Sequence, residues 1–560
     1  MKNWRLKVLF LFLILAGGGI IWKLYILQIK NGEYYEALAL GQQVSFEESK
    51  GKRGEIFLEN GEFPLAQTKT KNIIYIFPEK LENIQKEAEI LEKILNEKKE
   101  KLISLFQTEK VLKREISQEN LEKLKNKNLK GVYIDKILGR YYPQGSFACD
   151  VLGFVNEEGK GQYGIEGYYD KILRGEERML PKERSPFGYL TLFLDSKTEE
   201  LFSQGADLFL TLDYHIQYFS QKLLKEAKEK FDIDSGQIIV QEPSTGKILA
   251  LVDFPGFDPN QYGQEKDLSI FLNDTLQKLF EPGSIFKPFT MAAGLEEGLI
   301  TPDMEYEDKG YVNLGGPPIY NFERRVWGVQ SMTDVLEESI NTGAIFVEQK
   351  LGGELFLKYL ENFGFFEKTG VDLQGEEFSL NETLKRGYPR DVAVASFGQG
   401  VEITPLQLVR AFAAIANGGK LLRPFVVEKI IQPDGTEIRI NPEIQRKVIS
   451  ETTCAKLTSM LVSVVEQGSG RRAKIKGYFI AGKTGTAQVP LKTGGYSQEK
   501  TIHSFIGFFP AFDPKVLIFI KLDNPKGVKA AALSTAPLFR ELAKYIISLW
   551  QIPPDYEENL

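Results

Sequence analysis

The chain opens on an unbroken run of apolar positions. VLFLFLILAGGGIIW (Val8–Trp22) carries no charge, and after Lys23 the apolar character resumes through Ile29. A helix over Val8–Ile29, at ~1.5 Å per residue, spans a bilayer core of about 30 Å. Lys23, near the far end, reaches the interface on its long stem. Lys2, Arg5 and Lys7 precede the run with no acidic residue among them, which orients the N-terminus to the cytoplasm. A cleaved signal peptide is the alternative, but no A-x-A site follows, and LAGG lacks the cysteine of a lipoprotein signal. The expectation is a single-pass anchor over residues 1–30.

Residues 31–205 mix short strand-like pieces with turns such as Glu59-Asn60-Gly61-Glu62. Within them, residues 79–130 are dense in Lys, Glu, Leu and Ile. ILEKILNEKKEKL places apolar residues at helical spacing with charged neighbours outside, so this stretch reads as an arm of amphipathic helices. From Asp207 the texture changes. LFLTLDYHIQYFSQKLLKEAKEKF predicts a strand, a helix start at Asp213 and a long amphipathic helix. GQIIVQEPSTGKILALVDF predicts two strands around a turn. IKGYFIAGKTGTAQVP and SFIGFFPAFDPKVLIFIKLD predict further strands near the other end. Strands at both ends with helices between imply one α+β domain over 206–550, its sheet completed by distant segments. PPDYEENL closes the chain, and residues 551–560 are expected to be a solvated tail.

At 560 residues, 42% hydrophobic and 26% charged, the chain supports several folded domains and is not wholly disordered. Seventy Lys+Arg against 76 Asp+Glu give a net charge of −6, without the basic excess of a nucleic-acid binder. Two cysteines, Cys149 and Cys454, make neither a disulfide framework nor a four-ligand zinc site; they read as two buried thiols. Two histidines, His215 and His503, argue against histidine-based metal or triad chemistry. No metal or cofactor is implied.

Acyl transfer without histidine needs a hydroxyl and an amine close enough to share a proton. Ser-x-x-Lys on a helix provides this, and the pattern starts at Ser49, Ser244, Ser284 and Ser497. The first two contain glycine in turns, and Ser497 falls in a polar loop. Ser284-Ile285-Phe286-Lys287 follows a Pro-Gly turn and leads into an apolar helix, which sets Ser284 at a positive helix N-terminus. Pro288 predicts a local distortion there. Ser339-Ile340-Asn341 supplies a hydroxyl and a carboxamide between two helical stretches, whereas Ser379-Leu380-Asn381 reads as a helix cap. Lys-Thr-Gly occurs at Lys368, Lys483 and Lys492. Only Lys483 lies within a strand-like run, where Gly485 allows close approach of a substrate backbone. Gly477 to Thr484 also matches the P-loop pattern letter for letter, but its context is strand-like where a P-loop needs a helix.

Ser284, Lys287, Ser339, Asn341 and Lys483 in this order resemble the signature of penicillin-binding proteins and serine β-lactamases. GEIFLENGEFPLA (Gly54–Ala66), RYYPQGSFACDVLGFV from Arg140 and GQYGIEGYYDKILRG (Gly161–Gly175) resemble the pedestal of class B penicillin-binding proteins. EPSTGKILALVDFPGFDPN, EPGSIFKPFT, SFGQGVEITPLQLVRAFAAIANGG and AGKTGTAQVP resemble their catalytic domain. The septal, cell-division type, sporulation forms included, fits best; the elongation type is the alternative. Leu58-Glu59 and His503-Ser504 depart from the usual pattern outside the three motifs. The resemblance implies a multidomain α+β protein: membrane anchor, mixed α/β pedestal, and a transpeptidase domain with an antiparallel sheet flanked by helices. No glycosyltransferase module stands before the pedestal, so the bifunctional class A architecture is not expected.

The resemblance also implies the chemistry. Ser284 attacks the penultimate D-Ala of a peptidoglycan stem peptide, Lys287 is the base, Ser339 relays the proton and Asn341 orients Lys287 and the substrate. Lys483, Thr484 and Thr486 hold the terminal carboxylate beside Gly485, and the backbone N–H groups of Ser284 and Thr486 form the oxyanion hole. β-Lactams would stall as acyl adducts. Implied partners are stem peptides, the bacterial cytoplasmic membrane with the catalytic domain outside it, a membrane glycosyltransferase of the shape, elongation, division and sporulation family, and other division proteins. A D,D-carboxypeptidase, a β-lactamase and a catalytically silent division scaffold share parts of this pattern.

Overall fold

The computed structural model describes residues 4–30, 44–49, 51–58, 61, 64–125, 127, 129–175, 178–185, 188–191, 204–490 and 495–556. Two compact units emerge: residues 1–53 with 174–205, and residues 54–173 with 206–560. In the first, a helix over Trp4–Tyr25 runs into a π-helical turn, Ile26–Lys30. Lys7–Lys30 is long and apolar enough to cross a membrane. The same unit holds a three-stranded antiparallel sheet of Val44–Ser49, Arg178–Ser185 and Gly188–Thr191.

The second unit contains the expected sheet built from distant segments. Its order is Ile248–Phe254, Ser235–Gln241, Val516–Asp523, Tyr496–Phe509, Ala481–Pro490, antiparallel throughout. The central strand VLIFIKLD is buried along nearly its whole length because both faces are covered. Period-2 alternation sorts its side chains. Val516, Ile518, Ile520 and Leu522 join the cluster of the helices Tyr214–Phe231 and Thr535–Trp550. Leu517 and Phe519 face the helices Lys287–Glu296, Pro405–Ala416 and Glu451–Glu466. Lys521 falls on that second face. It is buried, and its Nζ meets both Asp523 carboxylate oxygens at 2.7 Å and Gln237 Oε1 at 2.9 Å.

A second sheet runs Glu437–Arg439, Val427–Ile431, Asp207–Leu210, Ile56–Leu58, Pro64–Ile76, Leu112–Ile116, with Val132–Tyr141 on the other side of Pro64–Ile76. Ile56–Leu58 lies parallel to Asp207–Leu210 and every other pairing is antiparallel. Strands before and after residue 205 therefore share one sheet. The arm is helical as its spacing predicts, with helices Ile84–Leu95, Lys99–Thr108 and Gln118–Lys125 enclosing Leu91, Leu102, Phe106 and Leu121. Asn83 caps the first by accepting from Lys86 N–H at 3.0 Å.

The C-terminal residues depart from the expectation of a solvated tail. Gln551 takes a left-handed conformation that ends the last helix, and Ile552 returns to the core. The Asp555 carboxylate then accepts from Phe479 N–H at 2.7 Å, and Asp555 N–H donates to Gly477 O at 2.9 Å. These contacts are between distant segments, which local polarity does not reveal.

Arg140 and Glu166 form an ion pair at 2.5 Å with side chains 3% and 0% exposed, and Arg140 also donates to Gly54 O. Removing the acid leaves a buried guanidinium without its carboxylate. Glu166→Ala should destabilise this unit by about 3–5 kcal/mol, seen as an earlier thermal transition than in the parent.

Candidate active site

Pro288 sets the geometry of the Ser284 turn. In an α-helix its N–H would bond to the Ser284 carbonyl, and proline has none. The chain instead makes a 3₁₀ turn over Gly283–Phe286, with Lys287 N–H bonding to Ser284 O, before the α-helix Lys287–Glu296 begins. The expected distortion is this turn. Gly283 enters it with φ +60° and donates its N–H to Gly398 O at 2.9 Å. Gly398 has φ +83°, and a Cβ there would lie 2.2 Å from Gly283 O. Only glycine fits so close to the Ser284 turn.

The helix carries Lys287 into the core, where the side chain is fully buried. Its Nζ meets Ser284 Oγ at 3.1 Å, Ser339 Oγ at 3.1 Å, Ser339 O at 2.5 Å and Asn341 Oδ1 at 2.8 Å. Ser339 lies between the helices Met332–Glu337 and Asn341–Leu351 with φ +58°, a conformation uncommon outside glycine and itself a form of stored strain. It presents both carbonyl and hydroxyl to the amine. Asn341 Nδ2 donates to Tyr320 O at 3.3 Å. Burial, followed by the positive Lys483, holds the Lys287 amine well below the usual lysine range.

Lys483, also fully buried, sits on Ala481–Pro490, the edge strand of the five-stranded sheet. Burial pushes its pKa down to about 7, with Glu338 acting in the opposite sense. Thr484 Oγ1 lies 3.1 Å from Ser469 Oγ, and Thr486 Oγ1 accepts from Ala531 N–H at 3.1 Å. Gly485 has a packing role within the protein. A Cβ there would lie 2.4 Å from Ser504 Oγ and 2.9 Å from Ile285 Cγ2, so the glycine lets this strand pack against the Ser284 turn.

The two elements and the Ser339–Asn341 link thus gather Ser284, Lys287, Ser339 and Asn341 into direct contact, with Lys483 close enough to shift the Lys287 amine. Chemically, a neutral amine has two N–H donors and one lone pair, while an ammonium has three donors and none. Ser339 O and Asn341 Oδ1 can only accept. They take both N–H bonds of the neutral amine and leave its lone pair for a serine hydroxyl.

The other copies of each pattern lie elsewhere. Ser49 ends a strand and Ser244 sits in the turn between Ser235–Gln241 and Ile248–Phe254. Ser497, expected in a loop, is in the strand Tyr496–Phe509, where its Oγ accepts from Glu499 and Lys500 N–H. Asn381 starts the helix Glu382–Lys385, but its side chain pairs with the Glu402 backbone instead of capping. Thr369, after Lys368, is buried away from this site beside Glu376, and Lys492 lies outside the described residues. Residue 483 is in a strand and opens no helix, which removes the P-loop context.

The penicillin-binding protein transpeptidase domain matches residues 236–544, and the penicillin-binding protein dimerisation domain matches residues 48–190. The chain belongs to the class B penicillin-binding proteins. Stage V sporulation protein D of Bacillus subtilis is 36% identical over 495 residues, covering 85% of this chain and 75% of that protein. Penicillin-binding protein PbpB of Mycolicibacterium smegmatis is 32% identical, covering 74% and 65%. A crystal structure of penicillin-binding protein 3 from Mycobacterium tuberculosis superposes with a TM-score of 0.70 at 26% identity, covering 91% of this chain and 98% of that one.

Sequence reasoning assigned no part in the site to several residues around it. Gly398 backs the Ser284 turn, and Tyr320 meets Asn341 through its carbonyl. Ala531 reaches Thr486 through its N–H. His503, given no part in the site by the sequence, is paired in register with Thr486 and lies 2.8 Å from Ser534 Oγ through Nδ1. Burial holds its imidazole at about 4, hence neutral at pH 7. None of these follows from local spacing. Gly398→Ala should displace the Ser284 turn and slow labelling by a fluorescent penicillin at least tenfold, about 1.4 kcal/mol in the barrier, as measured by gel-based time courses.

Proposed function

We propose that this protein is a peptidoglycan D,D-transpeptidase that works through an acyl-enzyme on Ser284. The observation that carries the reading is the buried Lys287 amine among four neutral oxygens, two of them hydroxyls. Lys287, neutral, takes the Ser284 proton as Oγ attacks the carbonyl of the penultimate D-Ala. Ser339 passes a proton to the leaving D-Ala amine, and an amine from a second stem peptide then takes the acyl group. Asn341 orients Lys287 and the substrate amide, and Lys483 with Thr484 and Thr486 receives the carboxylate. The N–H groups of Ser284 and Thr486 serve as the oxyanion hole, at about 3 kcal/mol per donor. The free edge of the Lys483 strand suits an extended peptide, which can pair along it as an added strand.

Residues 31–205 act as the pedestal and 206–550 as the transpeptidase domain. The N-terminal helix anchors the chain in the bacterial cytoplasmic membrane with its basic end inside and the catalytic residues outside. A septal or sporulation role is supported by relatives named stage V sporulation protein D and FtsI homolog. That role implies a membrane glycosyltransferase partner that makes the strands to be crosslinked.

Fluorescent penicillin should give a denaturation-stable band on the anchored protein that disappears in Ser284→Ala. Absence of a band from folded parent protein rejects the acyl-enzyme reading, and rapid turnover of the penicillin identifies a β-lactamase instead.

The two lysines also set a pH profile. Lys287 must be neutral, so acylation rises with pH through its depressed pKa. Lys483 must be charged to receive a carboxylate, so k2/Kd for the free enzyme should fall again above pH about 7. Stopped-flow acylation between pH 4 and about 9 should give this bell shape, and a rate rising steadily to pH 9 would contradict the assigned charge states.

A further inference from the structure

Beside Asn341 stands a lobe folded from Glu305–Asp308 paired with Gly328–Ser331 and from Tyr311–Val312 paired with Ile319–Tyr320. Its centre is a buried polar network. Asp308, 2% exposed, accepts from Gly310 N–H at 2.9 Å, Trp327 N–H at 2.8 Å, Asn321 Nδ2 at 3.0 and 3.1 Å, and Thr342 Oγ1 at 2.6 Å. Asn321, 4% exposed, accepts in turn from Thr342 N–H at 3.0 Å. Thr342 is the second residue of the helix that begins at Asn341, and its N–H is one of the first-turn donors with no partner inside the helix. Ile340 offers no side-chain cap there. The cap comes from Asn321, across the lobe.

The same lobe fixes which way the Asn341 carboxamide faces. Tyr320 O can only accept, so it demands Nδ2. Its position is set by Asn321, the next residue, held by Asp308 and Thr342. With Nδ2 committed to Tyr320, Oδ1 must face Lys287. A flipped amide would set oxygen against oxygen at Tyr320 and N–H against the amine. The loop pays for this placement in strain, since Glu323 and Arg324 are successive non-glycine residues at φ +56° and +55°.

We propose that Asp308, acting through Asn321 and Thr342, is a positioning residue for the reaction, holding Asn341 with its oxygen on Lys287 and its amide nitrogen on Tyr320. This rests on the reading of Lys287 as the base. Loss of the network frees Asn341 to turn and deprives Lys287 of an acceptor. Because an ammonium needs that acceptor more than an amine does, Lys287 then binds its proton less well and is a weaker base.

The test uses the full chain in detergent with Thr342→Val, Thr342→Ser and Asp308→Asn. Thr342→Val and Asp308→Asn should lower the saturating acylation rate with a fluorescent penicillin about tenfold or more and move the acid limb of the profile to lower pH. Thr342→Ser keeps the hydroxyl and should restore both. A role in folding alone would move the thermal midpoint and leave the acid limb in place. The second readout needs no acylation: the Lys287 titration, followed by NMR of ¹³C-labelled lysine and assigned with Lys287→Arg. A lower Lys287 midpoint in Thr342→Val supports the positioning role even if the parent fails to acylate, an outcome that would sink the proposed function alone. Parent-like titration and acylation in folded Thr342→Val and Asp308→Asn overturn the proposal.

Discussion

The site depends on keeping one lysine buried without a carboxylate. Two lysines in the catalytic sheet region show the two outcomes that burial allows. Lys521 is buried beside Asp523, whose carboxyl burial alone would raise but which the adjacent ammonium draws below its ordinary range. That is a satisfied ion pair, inert because both charges are spent on each other. Lys287 is as deeply buried, yet its hydrogen-bond neighbours are two hydroxyls, a backbone carbonyl and a carboxamide. None of these carries a charge to offset the loss of water around an ammonium, and the positive Lys483 adds to the penalty. The amine is driven toward its neutral form, the form with a lone pair to share.

Several structural features make sense as means of holding that environment together. The 3₁₀ turn forced by Pro288 keeps Ser284 beside the amine three residues on. Ser339 bears left-handed strain and supplies two of the four oxygens from a single residue. Glycines at 398 and 485 let two other backbones close on the Ser284 turn. Each feature is locally unfavourable or restrictive, and each is compensated by the packing of an almost wholly buried helix.

Much of this was legible in the sequence because it is local. Residue spacing marked Ser284 with Lys287, and texture separated it from the copies at Ser49, Ser244 and Ser497. Apolar runs located the strands from both ends of the catalytic stretch, and proline chemistry foretold the distorted turn. Context also selected Ser339, Asn341 and Lys483, and the resemblance to a known family joined them to Ser284. What stayed hidden was set by contacts between distant segments. Asp308, Asn321 and Tyr320 belong to no periodic pattern and meet Asn341 and Thr342 only after the chain has folded. Residues 551–556 look polar and free, and docking on Gly477 and Phe479 becomes apparent only in three dimensions. The packing of Gly485 against Ser504 and Ile285 is likewise visible only in the folded chain.

The shared sheet adds a constraint that domain-by-domain reasoning misses. Ile56–Leu58 lies directly beside Asp207–Leu210, which in turn pairs with Val427–Ile431. Tyr169 donates its hydroxyl to Asp372 at 3.0 Å, and Asp372 accepts from Val426 and Val427 N–H at 2.7 and 2.9 Å. Segments from either side of residue 205 are thus joined by backbone pairing and by a buried carboxylate at the same strand. Backbone pairing of this kind resists sliding, because a one-residue slip would turn every apolar side chain to the wrong face. Residues 54–173 and 206–560 therefore form one compact unit, in which strands from either side of residue 205 are tied by backbone pairing as well as by side-chain packing.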